Sequence, residues 1–163
     1  MSSELNNLKI QVITISDRAS KGIYEDESGE LLRNLLQNQG AICEPVILIP
    51  DKISKIQKSI LKSAKKNNIV ITTGGTGISP KDKTFEATNE ILDYEIPGIS
   101  EILRIKSYEK ISTAVLSRGL AGVISKTLVI NIPGSKGAIN DAVEILTPIF
   151  KHAIDQLNGG DHN

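Results

Sequence analysis

Apolar positions recur along this chain in two alternating rhythms. Leu8 to Ile15 (LKIQVITI) is a β-branched run that predicts a strand buried on at least one face. From Ser28 to Gln39 the residues Leu31, Leu32, Leu35 and Leu36 return at helical spacing, and Gly40 stands where a helix stops. Ala41 to Ile49 predicts a second strand, with Val46 to Ile49 as its apolar end and Pro50-Asp51 as its close. Lys52 to Asn67 reads as a helix: Ile53, Ile56, Ile60 and Ala64 form a stripe, and lysines 52, 55, 58, 62, 65 and 66 cover the other side. A third strand, Ile69-Val70-Ile71, runs into Thr72-Thr73-Gly74-Gly75-Thr76-Gly77.

The second half keeps the alternation. Thr84 to Asp93 predicts a short helix, Pro97-Gly98 breaks it, and Ile99 to Lys106 begins another. Thr113 to Leu116 predicts a short strand ending at Ser117-Arg118, and Gly119 to Ser125 is small and glycine-containing. Thr127 to Ile132 predicts a further strand, closed by Pro133-Gly134-Ser135. Ala138 to Leu157 predicts a long helix that Pro148 should kink and Gly159-Gly160 should end. Met1 to Asn7 reads as a loose polar leader. Strand and helix in turn predict one α/β domain over residues 1–163, with its core at about 8–157: a three-layer α/β/α sandwich around a mostly parallel, mixed sheet.

Composition narrows the classes. The 163 residues suffice for a well-buried core, and 39% hydrophobic with 23% charged content excludes a disordered chain. Zero formal net charge gives no general attraction to nucleic acid or acidic membranes, and 3% aromatic residues leave little for base stacking. The lone Cys43 excludes an intrachain disulfide and reads as a buried small hydrophobe. With no leader-like or membrane-length apolar run, a soluble cytosolic (cytoplasmic) protein is expected.

The candidate chemistry gathers at strand ends. Ser16-Asp17, Asp51, the stretch Gly74 to Asp82 and Pro133-Gly134-Ser135 each follow a predicted strand, and in such sheets these ends converge on one crevice. Gly74, Gly75 and Gly77 let the backbone approach a ligand, and the N–H groups of such a turn favour phosphate; the same turn could be only a tight strand-to-helix connection. Asp51 and Asp82 suit Mg²⁺ held between carboxylates and phosphate oxygens. Each also has a plain structural role open to it. Asp51 can cap the following helix, and Ser79-Pro80-Lys81-Asp82 fits a helix start with Ser79 as N-cap and Asp82 as its N3 acid. Asp17 can form a turn. His152 and His162 lack zinc-site spacing, no G-x-S-x-G elbow occurs, and no G-x-G-x-x-G follows the first strand.

Taken together, ISDRASKGIYEDESG (15–29), LIPDK (48–52), TTGGTGISPKDKTFEAT (72–88), EIPG (95–98), LSRGLAGV (116–123) and TLVINIPGSKGA (127–138) closely resemble the MogA/MoaB family, whose fold is shared with the G domains of gephyrin and the plant Cnx proteins. The match spans about Leu8 to Leu157, and the SDRASKG and Ile-Pro-Asp-Lys segments look more like MogA than MoaB. The resemblance implies a molybdopterin adenylyltransferase using ATP, molybdopterin and Mg²⁺, a homotrimer, and a molybdenum insertase downstream. It places the family's two key aspartates on Asp51 and Asp82. It further implies phosphate at Gly74, Gly75, Thr76 and Gly77, nucleotide beside Ser16 and Asp17, and pterin or its phosphate beside Ser117, Arg118, Pro133, Gly134 and Ser135, although Ser117-Arg118 could equally end a strand with an exposed cation. A paralogue that binds molybdopterin without adenylylating it is the alternative. The chain departs from many relatives at Phe85 and at Ser135-Lys136-Gly137, where a proline is common.

Overall fold

The computed structural model describes residues 3–161. Six strands form one sheet in the order β2-β1-β3-β6-β5-β4. β1 (Ile10–Ile15), β2 (Ile47–Ile49), β3 (Ile69–Thr73) and β6 (Thr127–Ile132) are parallel neighbours, while β5 (Ala121–Ile124) runs antiparallel to β6 and to β4 (Tyr94–Glu95). The mixed, mostly parallel sheet is the expected architecture. The four parallel strands point their C-terminal ends the same way, so Ile15, Ile49, Thr73 and Ile132 deliver the loops that follow them to one edge of the sheet.

Both faces are covered, and the side-chain period of two divides the core accordingly. Ile10, Val12, Ile69, Ile71, Leu128, Ile130 and Ile132 pack with Leu32 and Leu36 of α2 (Glu27–Asn38), Ile99 of α5 (Pro97–Tyr108), and Ile139, Leu146 and Phe150 of α6 (Lys136–Leu157). Ile13, Ile15, Val70 and Val129 pack with Ile56 and Ile60 of α3 (Ile53–Ala64) and Ala87 of α4 (Thr84–Asn89). The six lysines of and beside α3 are all exposed, as the stripe requires. Cys43 is buried as a free thiol, and desolvation pushes it up to about 11.

Several expectations need correction. The supposed leader contributes Leu5, fully buried in the larger core; Met1 and Ser2 lie outside the described residues. Thr113 to Leu116 is not a strand but part of a 3₁₀ helix, Ser112–Leu116. Val115 and Leu116 are exposed there, and the strand comes later, at Ala121–Ile124. A four-residue apolar run carries no periodicity that separates the two. The second strand shrinks to Ile47–Ile49, preceded by a single bridge between Lys9 and Ile42, with Pro45 in between. Pro97 does not only break a helix; it opens α5 at the first turn, where its missing N–H costs nothing. α4 starts at Thr84 with Lys83 before it, so Ser79 is no helix cap: Asp82 Oδ2 accepts the Ser79 N–H at 3.1 Å in a separate turn. α6 starts at Lys136 and runs through Pro148 without interruption.

Candidate functional site

β3 ends in Gly74 and Gly75, both at positive φ (98° and 67°). A Cβ on Gly74 would collide with the carbonyl oxygen of Ile15, and one on Gly75 would lie 2.5 Å from Asp51 Oδ1. Glycine is therefore required at both, and the turn is pressed directly against β1 and the Asp51 carboxylate. The turn is anchored by Gly74 N–H to Ile132 O (3.0 Å), by Thr84 Oγ1 to Gly74 O (2.9 Å) and by Thr84 N–H to Gly75 O (3.2 Å).

A cavity of about 1180 Å³ opens at this edge of the sheet. Of the sequence-predicted residues, Ser16, Asp51, Gly74, Gly75, Thr76, Gly77, Asp82, Ser117, Pro133, Gly134 and Ser135 line it. Asp17 and Arg118 do not; they act behind the wall. Asp17 Oδ1 accepts the Asp51 N–H at 3.0 Å, fixing the backbone from which Asp51 projects. Ser16 caps α1 (Asp17–Ser20) by accepting the Ala19 N–H, and its hydroxyl lies 2.9 Å from Tyr24 Oη.

Arg118 spends its whole guanidinium on the protein. Nε donates to Gly77 O (2.8 Å), Nη2 to Asp82 O (3.1 Å), and Nη1 pairs with Glu86 Oε1 (2.7 Å). Its own N–H donates to Thr76 O at 2.7 Å, and the guanidinium lies over the Phe85 ring, 5.5 Å from the centroid. The Arg118 guanidinium holds Glu86 below the usual carboxylate range. The expectation that Arg118 faces the pterin or its phosphate is thus replaced by a brace on the glycine turn and the Asp82 backbone. Phe85, noted only as a departure, is part of that brace.

Asp51 is the electrostatic centre. It does not cap α3, whose N-cap Lys52 makes no side-chain capping bond. Its carboxyl is pushed up to about 6, first by desolvation and then by the charges of Asp17 and Asp82; the backbone N–H groups of Lys83 and Asp17 approach it and offset part of this. Among the described residues, Oδ1 of Asp51 and Oε2 of Glu86 are buried oxygens with no hydrogen-bond partner. A buried anionic oxygen left unsatisfied among other carboxylates fits a divalent cation as its missing partner. No cluster of three or more His, Cys, Asp or Glu side chains forms a protein-only cage among the described residues. Mg²⁺ requires none when phosphates and water complete its shell, so Asp51 and Asp82 fit that group. His152 sits on the exposed surface of α6, its ring nitrogen 2.8 Å from Gln156, and His162 lies outside the described residues.

Sequence reasoning missed one whole wall. Arg104 and Ser107 of α5, Lys110 just beyond it and Asp141 of α6 all line the cavity. They stand inside helical stretches, and a helical pattern alone does not separate a cavity-facing polar residue from a solvated one. The α2 side is clasped to the far rim: Ser28 Oγ donates to Gly134 O at 2.7 Å, and Lys136 pairs with Glu27 at 2.8 Å.

A family described as "Probable molybdopterin binding domain" matches residues 11–152. The chain belongs to this family. The molybdopterin adenylyltransferase of Helicobacter pylori is 35% identical over 161 residues, covering 95% of this chain and 90% of that protein. The anomalous substructure of MogA superposes with a TM-score of 0.87 at 35% identity, covering 91% of this chain and 99% of that one. The crystal structure of the molybdopterin biosynthesis enzyme MoaB from Thermus thermophilus gives 0.86 at 33% identity, covering 96% and 99%. The chain therefore belongs to a molybdenum cofactor biosynthesis family, and its sheet and flanking helices are those of the MogA/MoaB fold.

Proposed function

We propose that this chain is a molybdopterin adenylyltransferase, transferring AMP from Mg-ATP to the terminal phosphate of molybdopterin with release of pyrophosphate. The observation that carries the reading is Asp51: a half-buried carboxylate with one unsatisfied oxygen, set against the Gly74-Gly75 turn and repelled by Asp17 and Asp82. An arrangement that raises the energy of its own anion is ready for a cation.

In this reading a phosphate oxygen of molybdopterin attacks the α-phosphorus of ATP. The new P–O bond forms as the bond to the β-phosphate oxygen breaks, and pyrophosphate leaves with the electron pair. A phosphate monoester is already ionised near neutral pH, so no protein base has to take a proton. Asp51 and Asp82 would hold Mg²⁺, which when bound neutralises charge on the nucleotide phosphates and the leaving group. Gly74, Gly75, Thr76 and Gly77 present backbone to the phosphates, and the Arg118 brace keeps that backbone and Asp82 in place. Asp17 fixes the Asp51 backbone, and Ser16 borders the nucleotide. Ser117, Pro133, Gly134 and Ser135 line the remaining wall for the second substrate. A homotrimer in the cytoplasm that passes its product to a molybdenum insertase completes the proposal.

Pyrophosphate release tests it. Purified protein with molybdopterin and Mg-ATP should form pyrophosphate only when both substrates are present. Asp51→Asn and Asp82→Asn should lower the rate by about 100-fold or more while leaving the fold intact. The chain is also similar to MoaB from Thermus thermophilus, and the second reading is a MoaB-like molybdopterin-binding paralogue without adenylylation. Pterin binding without pyrophosphate release would establish that reading and overturn the first.

A further inference from the structure

The α5–α6 wall of the cavity holds a second polar centre that the phosphate chemistry does not use. Asp141 is 6% exposed. Its Oδ2 accepts from Ser107 Oγ at 3.0 Å, and its Oδ1 pairs with Lys110 Nζ. All three residues line the cavity. As a mere helix-to-helix tie the group is a poor device. Burying a carboxylate is costly, and the Lys110 side chain is 67% exposed, so the pair returns little stability. Arg104, beside it, is already directed at the carbonyls of Ser117 and Gly119, at 3.4 and 3.3 Å. The cation free to shift is therefore Lys110.

We infer that Asp141, Lys110 and Ser107 read the 2-amino-4-oxopyrimidine edge of the pterin. That edge presents two adjacent donors, the exocyclic amine and the ring N3–H, followed by the O4 acceptor. A carboxylate flanked by an ammonium and a hydroxyl presents two acceptors followed by donors, its complement. In the bound state the Asp141 oxygens accept the two pterin N–H groups, and Lys110 moves from Asp141 to O4. Adenine carries no such pair of adjacent donors beside an oxo group, so the same centre keeps ATP out of the pterin subsite. A cavity of about 1180 Å³ has room for both substrates. The identity of the ligand rests on the proposed function; the edge chemistry does not. Guanine shares this edge, and the test separates the two.

The experiment is a fluorescence titration of the full chain with 6-hydroxymethylpterin and with 6-hydroxymethyllumazine, which carries an oxygen in place of the 2-amino group. GMP is added as competitor, and pyrophosphate release is measured separately. The wild type should prefer the pterin by about tenfold or more, the scale of one charge-assisted hydrogen bond. Asp141→Asn should lose that preference, with pterin affinity falling about tenfold. Lys110→Met, an exposed change that leaves the fold alone, should weaken pterin binding while keeping the preference over lumazine. Equal binding of both heterocycles by the wild type, no pterin binding, or an unchanged Asp141→Asn variant overturns the inference. GMP displacing the pterin at equal concentration overturns the pterin assignment. Pterin selectivity that depends on Asp141 without pyrophosphate release leaves this inference standing and removes the adenylyltransferase.

Discussion

Asp51 is held in the fold against its own charge. Its folded value of about 6 lies above the 3.8 of an ordinary aspartate, so the fold prefers the protonated form. Below about pH 4 the group is largely protonated both folded and unfolded and costs little; between about pH 4 and 6 the unfolded chain releases a proton that the fold retains, so native stability falls, and the loss is complete above 6. Asp51→Asn should therefore be more stable than the wild type at pH 7, by about 1 kcal/mol once the half-exposed site is discounted for screening. The gain should vanish at pH 4, as thermal melts at the two pH values will read. Arg118→Lys should go the other way. An ammonium cannot reach Gly77 O, Asp82 O and Glu86 together, so kcat should fall about tenfold or more and stability by about 1–2 kcal/mol, checked by steady-state kinetics and denaturant melts. At this scale the sequence was informative where a residue follows a strand directly: Asp51 and the glycines reach the cavity because strand ends do. It was misleading for Arg118, whose partners are carbonyls and a carboxylate 32 to 41 residues upstream, and silent for Asp141, which only tertiary packing turns toward the cavity.

Among the elements, β6 shows how one polar side chain knits the sheet to a helix. Asn131 is 2% exposed. Its Nδ2 donates to Thr72 Oγ1 of β3 (2.9 Å) and Thr88 Oγ1 of α4 (3.1 Å), and its Oδ1 accepts the Leu120 N–H at 3.1 Å ahead of β5. Asn131→Ala leaves that N–H and two hydroxyls unmatched in the interior and should cost about 2–4 kcal/mol, measurable by urea unfolding. In the sequence TLVINI this asparagine sits within a buried strand and gives no sign of its partners. The parallel strands β1, β3 and β6 were legible because β-branched runs bounded by turn residues have few other uses. β4 and β5 were not. Each is short, and β5 includes Gly122, whose missing Cβ lets Tyr94 of β4 come close.

For the whole molecule, the cavity is a meeting of loops from parallel strand ends with the wall that α5 and α6 add. The residues lining it come from β1, α2, β3, α5, β6 and α6, so a ligand held there would tie these elements together. Mg-ATP at about 100 times its dissociation constant should raise stability by about 2.7 kcal/mol, and a chelator should cancel the effect in a thermal shift assay. No helix among the described residues is long and apolar enough to cross a membrane. The sheet, finally, ends on one side in Ile47–Ile49 and on the other in Tyr94–Glu95. Outermost strands of three and two residues offer almost no unpaired backbone for a foreign strand to zip onto, which guards the chain against edge-to-edge aggregation. The proposed trimer would then rest mainly on side chains of helices and loops, because the sheet offers so little edge to extend.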